Sequence, residues 1–293
     1  MGDDAHTSNS EVGEGLTISV STAFYPGAAV DPLPPDLILA SADSVFFYVH
    51  SNRLLRCSQN GFNASLPIPL TEMYTGDCPI LAATETSTVL NIVLHAIYDL
   101  PFEQYSPTSE CLVGAVQSLH KYGAVLKQLV VPSTPLYQHL MSVAPLNPID
   151  IYTIAAQFEL EELAVATSSH LLSFSLSSIS DEMAIRMGPL YLKRLFFLHL
   201  GRLDALKRIL LPPPPPHPPT NACNFADQKQ MVRVWALAVA YLAWDARPDL
   251  PITTIKQTLN PLIEKLPCNV CRSSLFDRTK NMIIQWSRVK NTI

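Results

Sequence analysis

The spacing of hydrophobic positions along this chain changes once, near residue 131. Before that point, strand-like and helix-like periods alternate. The stretch "LTISVSTAF" (16–24) sets Leu16, Ile18 and Val20 against small polar residues, the period of a half-buried strand. A proline turn, "VDPLPP" (30–35), leads into "DLILAS" (36–41), which reads as a short buried strand. Turn chemistry at Ala42-Asp43-Ser44 then precedes "VFFYVH" (45–50), a second strand at hairpin spacing from the first. A short helix using Leu54 and Leu55 follows, then a loop at 71–77, and "CPILAAT" (78–84) predicts a third strand.

Helical periods come next. In "STVLNIVLHAIY" (87–98), Val89, Ile92, Val93, Ala96 and Ile97 recur at three and four, with Ser87 as the cap. The segment 106–123 opens with Ser106 at a cap position and Pro107 at the first helical one. Its apolar stripe is Leu112, Ala115, Val116 and Leu119; Tyr122-Gly123 ends it, and 124–131 predicts another short helix. Beyond Pro132 the strand pattern vanishes. Helices are expected at 148–158, 161–173, 180–187 and 190–210, with Ser180 capping the third ahead of Asp181 and Glu182. After "LLPPPPPHPPT" (210–220), which cannot be helix or inner strand, helices are expected near 225–245, 252–266 and 272–289.

The fold class that follows is α+β, a block of strands and helices about one hundred residues long, followed by an all-helical extension. Five segments emerge: a disordered tail with an edge strand (1–30, its first 15 residues polar), an α+β domain (31–131), a helical extension (132–211), a proline-rich spacer (212–220), and a C-terminal helical block (221–293).

Composition narrows the function classes. Of 293 residues, 48% are hydrophobic and 15% charged, enough apolar surface for a substantial core. A net charge of −5 supplies no global field for nucleic acid or an anionic membrane, so neither is expected as a partner. The polar start lacks a secretory h-region, and His6 stands where a myristoylation signal needs Ser or Thr. The longest apolar run, "VWALAVAYLAW" (234–244), is shorter than the roughly 20 residues that span a bilayer. The chain therefore reads as soluble, cytoplasmic or nuclear, with reduced cysteines and a silent glycosylation sequon at Asn63-Ala64-Ser65.

Two sites carry candidate chemistry. Cys268-Asn-Val-Cys271 has the spacing with which two thiolates bind one Zn²⁺ from a turn. Cys223 and His217 are the residues placed to complete such a site; otherwise the pair reads as packed thiols or a redox Cys-x-x-Cys. His50, at the strand-to-helix corner, reads as a structural histidine rather than a catalytic base, because no nucleophile motif surrounds it. The prolines read as a spacer or an SH3/WW ligand. The basic stretch 192–208 reads as an amphipathic helix with Leu192, Leu195, Phe196, Leu203 and Leu206 inside and its cations solvated. With no G-x-S-x-G, Walker lysine loop, G-x-G-x-x-G or H-E-x-x-H, no enzyme is expected.

The order strand, strand, histidine, short helix, strand, helix, helix pair resembles the BTB/POZ domain, a protein-interaction module. The segments carrying the resemblance are "DLILAS", "FFYVHSNRLLRCSQNGF", "VLNIVLHAIYDL" and "ECLVGAVQSLHKYGA". Within them Asp36, His50, Leu54, Ser58, Tyr98 and Lys121-Tyr122 match positions of the family's pattern, over roughly residues 36–131. The layout as a whole looks like the BTB proteins abundant in mushroom-forming fungi. Ser51 replaces the usual basic residue, and Phe62 falls one position late. The resemblance implies a non-enzymatic module that self-associates, as a homodimer, or docks a protein partner. It also implies two alternatives: a substrate receptor of a cullin ubiquitin ligase, or a BTB-type transcriptional regulator. The loop "GFNASL" (61–66) lacks the glutamate of the cullin-recruiting motif, and neither zinc fingers nor a basic region follow the domain.

Overall fold

The structure, a computed structural model, describes residues 19–67 and 78–293. The readings of 1–15 as a tail, 16–18 as the start of a strand and 71–77 as a loop lie outside them. Among the described residues the fold is mixed α/β, with twelve α-helices and one four-stranded sheet. The chain divides into two compact units. One takes the described residues up to Pro107 together with Gly114–Val125; the other takes Thr108–Val113 together with Leu126–Ile293.

In the first unit the sheet order is β1-β3-β2-β4. Strands β2 (Leu37–Ala40) and β3 (Val45–Val49) form the expected antiparallel hairpin, registered from Leu37 opposite Val49 to Ala40 opposite Phe46. The Ser41 hydroxyl closes its turn by accepting from the Val45 N–H at 3.0 Å. Strand β4 (Ile80–Ala82) runs parallel to β2 on one side. Strand β1 (Ser19–Val20), parallel to β3, is only two residues long. The expected strand through residue 24 stops because the Ser21 hydroxyl accepts from the N–H groups of Ala23 and Phe24 and turns the backbone. Val20 is left exposed, whereas Phe24 is fully buried and meets the His95 and Tyr98 rings edge-on.

Two aspartates at opposite ends of β2 cap two helices. Asp36 accepts from the Ser51 N–H at 2.7 Å and its hydroxyl at 2.5 Å, at the start of α1 (Ser51–Cys57). Asp43 does the same for Ser87, at 2.7 and 2.6 Å, at the start of α3 (Ser87–Tyr98). Ser87 is thus capped rather than capping. The expected stripe of α3 is also shifted. Leu90 and Leu94 are completely buried along with Ile92 and Val93, while Val89 and Ile97 are only half-buried. This helix is covered on more than one side, so a single-face reading under-counts its core.

A left-handed turn, α2, occupies Gly61–Ala64, with φ between 53° and 65° at all four residues. Three of these pay the steric cost of an L-residue in that region. The Ser58 hydroxyl accepting from Phe62 N–H (2.6 Å) and Asn60 Oδ1 accepting from Asn63 N–H (2.8 Å) hold the turn.

Helix α4 (Ser109–Lys121) begins later than expected. Ser106 takes a left-handed φ of 42° to close a 3-10 turn, and the Thr108 hydroxyl accepts from Cys111 N–H instead. Its stripe is as read: Leu112, Ala115, Val116 and Leu119 are fully buried. Gly123 ends it with φ 77°; a Cβ there would lie 2.4 Å from Asn60 Oδ1 and 2.8 Å from Asn60 N, so glycine is required.

The second unit is helical: α5 (Leu126–Leu129), α6 (Pro135–Val143), α7 (Pro148–Gln157), α8 (Glu161–Ser168), α9 (Asp181–Leu210), α10 (Phe225–Trp244), α11 (Ile252–Glu264) and α12 (Asn269–Ser287). Helix α6 was not expected from the pattern, although Thr134 and Pro135 give it an ordinary cap and first residue. Helix α9 breaks at Gly188 (φ 69°, ψ 167°) before Pro189, which matches the two helices expected there. The Ser180 side chain accepts from Met183 N–H at 3.2 Å, as a cap should.

The buried face of α9 is rotated from its expected position. Leu195 and Leu206 are inside, but Phe196 is exposed, and Leu198, His199 and Arg202 are buried instead. Arg202 is not a solvated cation. It donates to the carbonyls of Pro248, Val289 and Lys290 at 2.6, 2.9 and 3.0 Å, and lies over the Trp286 ring at 4.4 Å.

Candidate metal centre

The proline stretch delivers the first ligand. Extended prolines make no hydrogen bonds of their own, so their carbonyls remain free acceptors. Side chains of α12 use them: Ser274 donates to Pro215 O at 2.9 Å, and Arg278 to Pro212 O at 2.8 Å and to Ile209 O. The stretch expected to be a spacer is strapped along α12. That strap places His217 beside the start of the helix.

The second ligand follows a tight turn. Thr220 N–H donates to Cys223 O at 2.9 Å and Cys223 N–H returns to Thr220 O at 3.2 Å, folding the sulfur of Cys223 back toward His217. Asn224 then starts α10 with a capping box to Asp227. Cys268 is the cap residue of α12, and Cys271 lies in its first turn. The helix thus starts three residues before its expected position, which puts both cysteines at its N-terminus.

The four ligand atoms lie within 4.8 Å of one another, and the three cysteines are buried. Cys223 Sγ is 3.7 Å from Cys271 Sγ; His217 Nε2 is 3.2 Å from Cys271 Sγ and 3.5 Å from Cys268 Sγ. Tetrahedral zinc with ordinary bond lengths has edges of about 3.8 Å between sulfurs and about 3.6 Å between sulfur and nitrogen. The cluster can hold a metal ion.

Tautomer and charge agree with that. His217 Nδ1 lies 2.7 Å from Pro218 O, which can only accept, so Nδ1 carries the proton and the Nε2 lone pair faces the sulfurs. Gln228, buried in α10, fixes the His217 backbone by accepting from its N–H (3.1 Å) and donating to its carbonyl (2.9 Å). The backbone N–H groups of Cys271 and Val270 bring the Cys268 thiol down to about 7. Burial, then Cys223, pushes Cys271 up to about 12, and burial raises Cys223. A divalent cation offsets these costs by stabilising all three thiolates. Gln228 is the contributor that sequence reading missed; among the polar residues at the start of α10, beside Asp227, Lys229 and Gln230, nothing marks it as a backbone clamp.

The residues that carried the resemblance lie elsewhere, in the first unit. His50 is buried, with Nε2 2.8 Å from Leu33 O and Nδ1 2.9 Å from the Tyr98 hydroxyl. Leu54 is fully buried, and Asp36 caps α1. Ser58 donates to Tyr122 O at 2.6 Å. The Tyr122 ring stacks on Phe62 with centroids 4.1 Å apart, and its hydroxyl donates to Glu85. Lys121 pairs with the same carboxylate at 2.7 Å. Burial raises the Tyr98 hydroxyl to about 12. These residues belong to the first unit, and the four ligands of the cluster belong to the second.

No protein-family profile matches the chain, and neither does any curated protein. Among the described residues no helix is long and apolar enough to cross a membrane.

Proposed function

We propose that this chain is a non-enzymatic protein-interaction protein, in which a BTB/POZ-like unit precedes a helical unit stapled by structural zinc. The observation that carries the reading is how the polar residues of the first unit are used. Asp36, His50, Ser58, Tyr98 and Tyr122 each make their hydrogen bonds inside the fold, joining strands to helix starts and ends. Such residues position a scaffold. They present no nucleophile and base to a substrate. The element order that carried the resemblance, from the β2/β3 hairpin through α1, β4 and α3 to α4, supports the same reading.

Three thiolates and one imidazole form a closed ligand set with no position for water or substrate, which suits a structural zinc rather than a catalytic one. Its work would be to tie the proline strap and α10 to α12. The module is proposed to act by self-association or by docking a protein partner.

Affinity purification of the full chain with mass spectrometry, beside sedimentation of the purified protein, tests this. Recovery of the chain with itself, or of one stoichiometric partner, is expected. Recovery of a cullin or of chromatin factors would favour the receptor or regulator reading, and a strict monomer with no partner would overturn the proposal.

A further inference from the structure

Helix α10 is apolar on two faces. One face, through Met231, Trp235, Val239 and Leu242, packs into the core of the second unit. The other points to solvent. Val234, Leu237, Tyr241 and Trp244 are 38%, 73%, 64% and 93% exposed. Their spacing of three, four and three is that of a helix–helix seam. No charge interrupts the run from 234 to 244, and Ala238 and Ala240 flank the seam with side chains small enough for close approach. A helix apolar all round is one built to be covered on both sides. Only one side is covered.

We infer that this face is an interface between two copies of the chain, with the α10 helices antiparallel. The inference rests on the self-association part of the function proposed above and locates it. Three features select a second copy over another occupant. First, antiparallel pairing centred on Val239 sets Val234 against Trp244 and Leu237 against Tyr241, a smaller side chain facing a larger one each time. Parallel pairing would put Trp244 on Trp244 and leave Val234 against Val234. Second, the seam has a basic end, Lys229 and Arg233, and an acidic end at Asp245. Antiparallel pairing brings opposite ends together, and the helix dipoles oppose favourably. None of these three residues belongs to an ion pair among the described residues. Third, the area is adequate for a weak dimer. With aromatic side chains of roughly 150–250 Å² each, the two seams bury about 1,000 Å² in total, near the lower edge of specific interfaces.

The test uses the full chain. Sedimentation velocity over a hundredfold concentration range should show reversible dimerisation in the micromolar range. Trp244→Glu and Leu237→Glu should each weaken it at least tenfold, with metal content and melting temperature unchanged. In a background with Cys57, Cys78 and Cys111 changed to serine, the double variant Leu237→Cys, Tyr241→Cys should cross-link between copies while either single variant does not. Equal cross-linking by Leu237→Cys alone would overturn the antiparallel register. A dimer indifferent to Trp244→Glu would overturn the seam and leave self-association to another surface. A monomer at every concentration would overturn self-association and leave only docking of a different protein.

Discussion

Tyr98 and His50 are joined through one oxygen used in both directions. The Tyr98 hydroxyl accepts from the His50 backbone N–H at 2.9 Å and faces the ring Nδ1 at 2.9 Å. Because Nε2 faces a carbonyl, it must donate, so Nδ1 is the bare nitrogen and the tyrosine proton goes to it. The end of α3 is thereby tied to the corner between β3 and α1.

Removing that oxygen leaves two buried polar groups unpaired. Tyr98→Phe is expected to cost about 1–3 kcal/mol, as is His50→Ala, and the double variant less than their sum. Urea denaturation of the three variants checks this. A His50→Ala melting temperature equal to wild type would remove its structural role.

The metal centre makes a second prediction. Purified protein should contain close to one zinc per chain, by elemental analysis. A strong chelator should expose the C-terminal helices to protease while sparing the first unit, and Cys268→Ser should reproduce that pattern. Cys57→Ser, whose sulfur lies in the other unit, should not. Gln228→Ala should weaken zinc binding by about tenfold in chelator competition, because outer partners of a ligand histidine have effects of that size.

Core substitutions in α3 should rank by burial rather than by the sequence stripe. Leu94→Ala empties a fully buried site and should cost about 2–5 kcal/mol. Ile97→Ala, half-buried, should cost less than half as much. Equal losses in thermal melts would restore the single-stripe reading.

Glu85 gives a pH signature. Burial alone would raise its carboxyl, but hydrogen bonds from Lys121 and Tyr122 outweigh burial and hold it below its ordinary value of 4.5. A carboxyl depressed in the folded state stabilises above its unfolded pKa, and the contribution is lost as pH falls through the folded one. The stability difference between wild type and Glu85→Gln should therefore be flat from pH 6 to 8 and shrink below about pH 4.5. A difference that grows on acidification would reverse the assignment.

Short-range patterns were legible in the sequence because short-range physics makes them. The β2/β3 hairpin follows from two short apolar runs at hairpin spacing with the turn residues Ala42-Asp43-Ser44 between them; the α4 stripe follows from spacing; the break before Pro189 and the Ser180 cap follow from backbone sterics and one hydroxyl. Half of the metal cluster belonged to that class, since two residues between cysteines is a local distance. The other half did not. His217 reaches the sulfurs only because α12 side chains hold the proline carbonyls, and Gln228 clamps it from α10, a separate element that starts at Phe225. Tertiary packing also decided which carboxylate caps Ser87 and whether Arg202 meets water or three carbonyls. In each case the partner is distant in sequence, and a helix period gives the width of a buried face but not what lies against it.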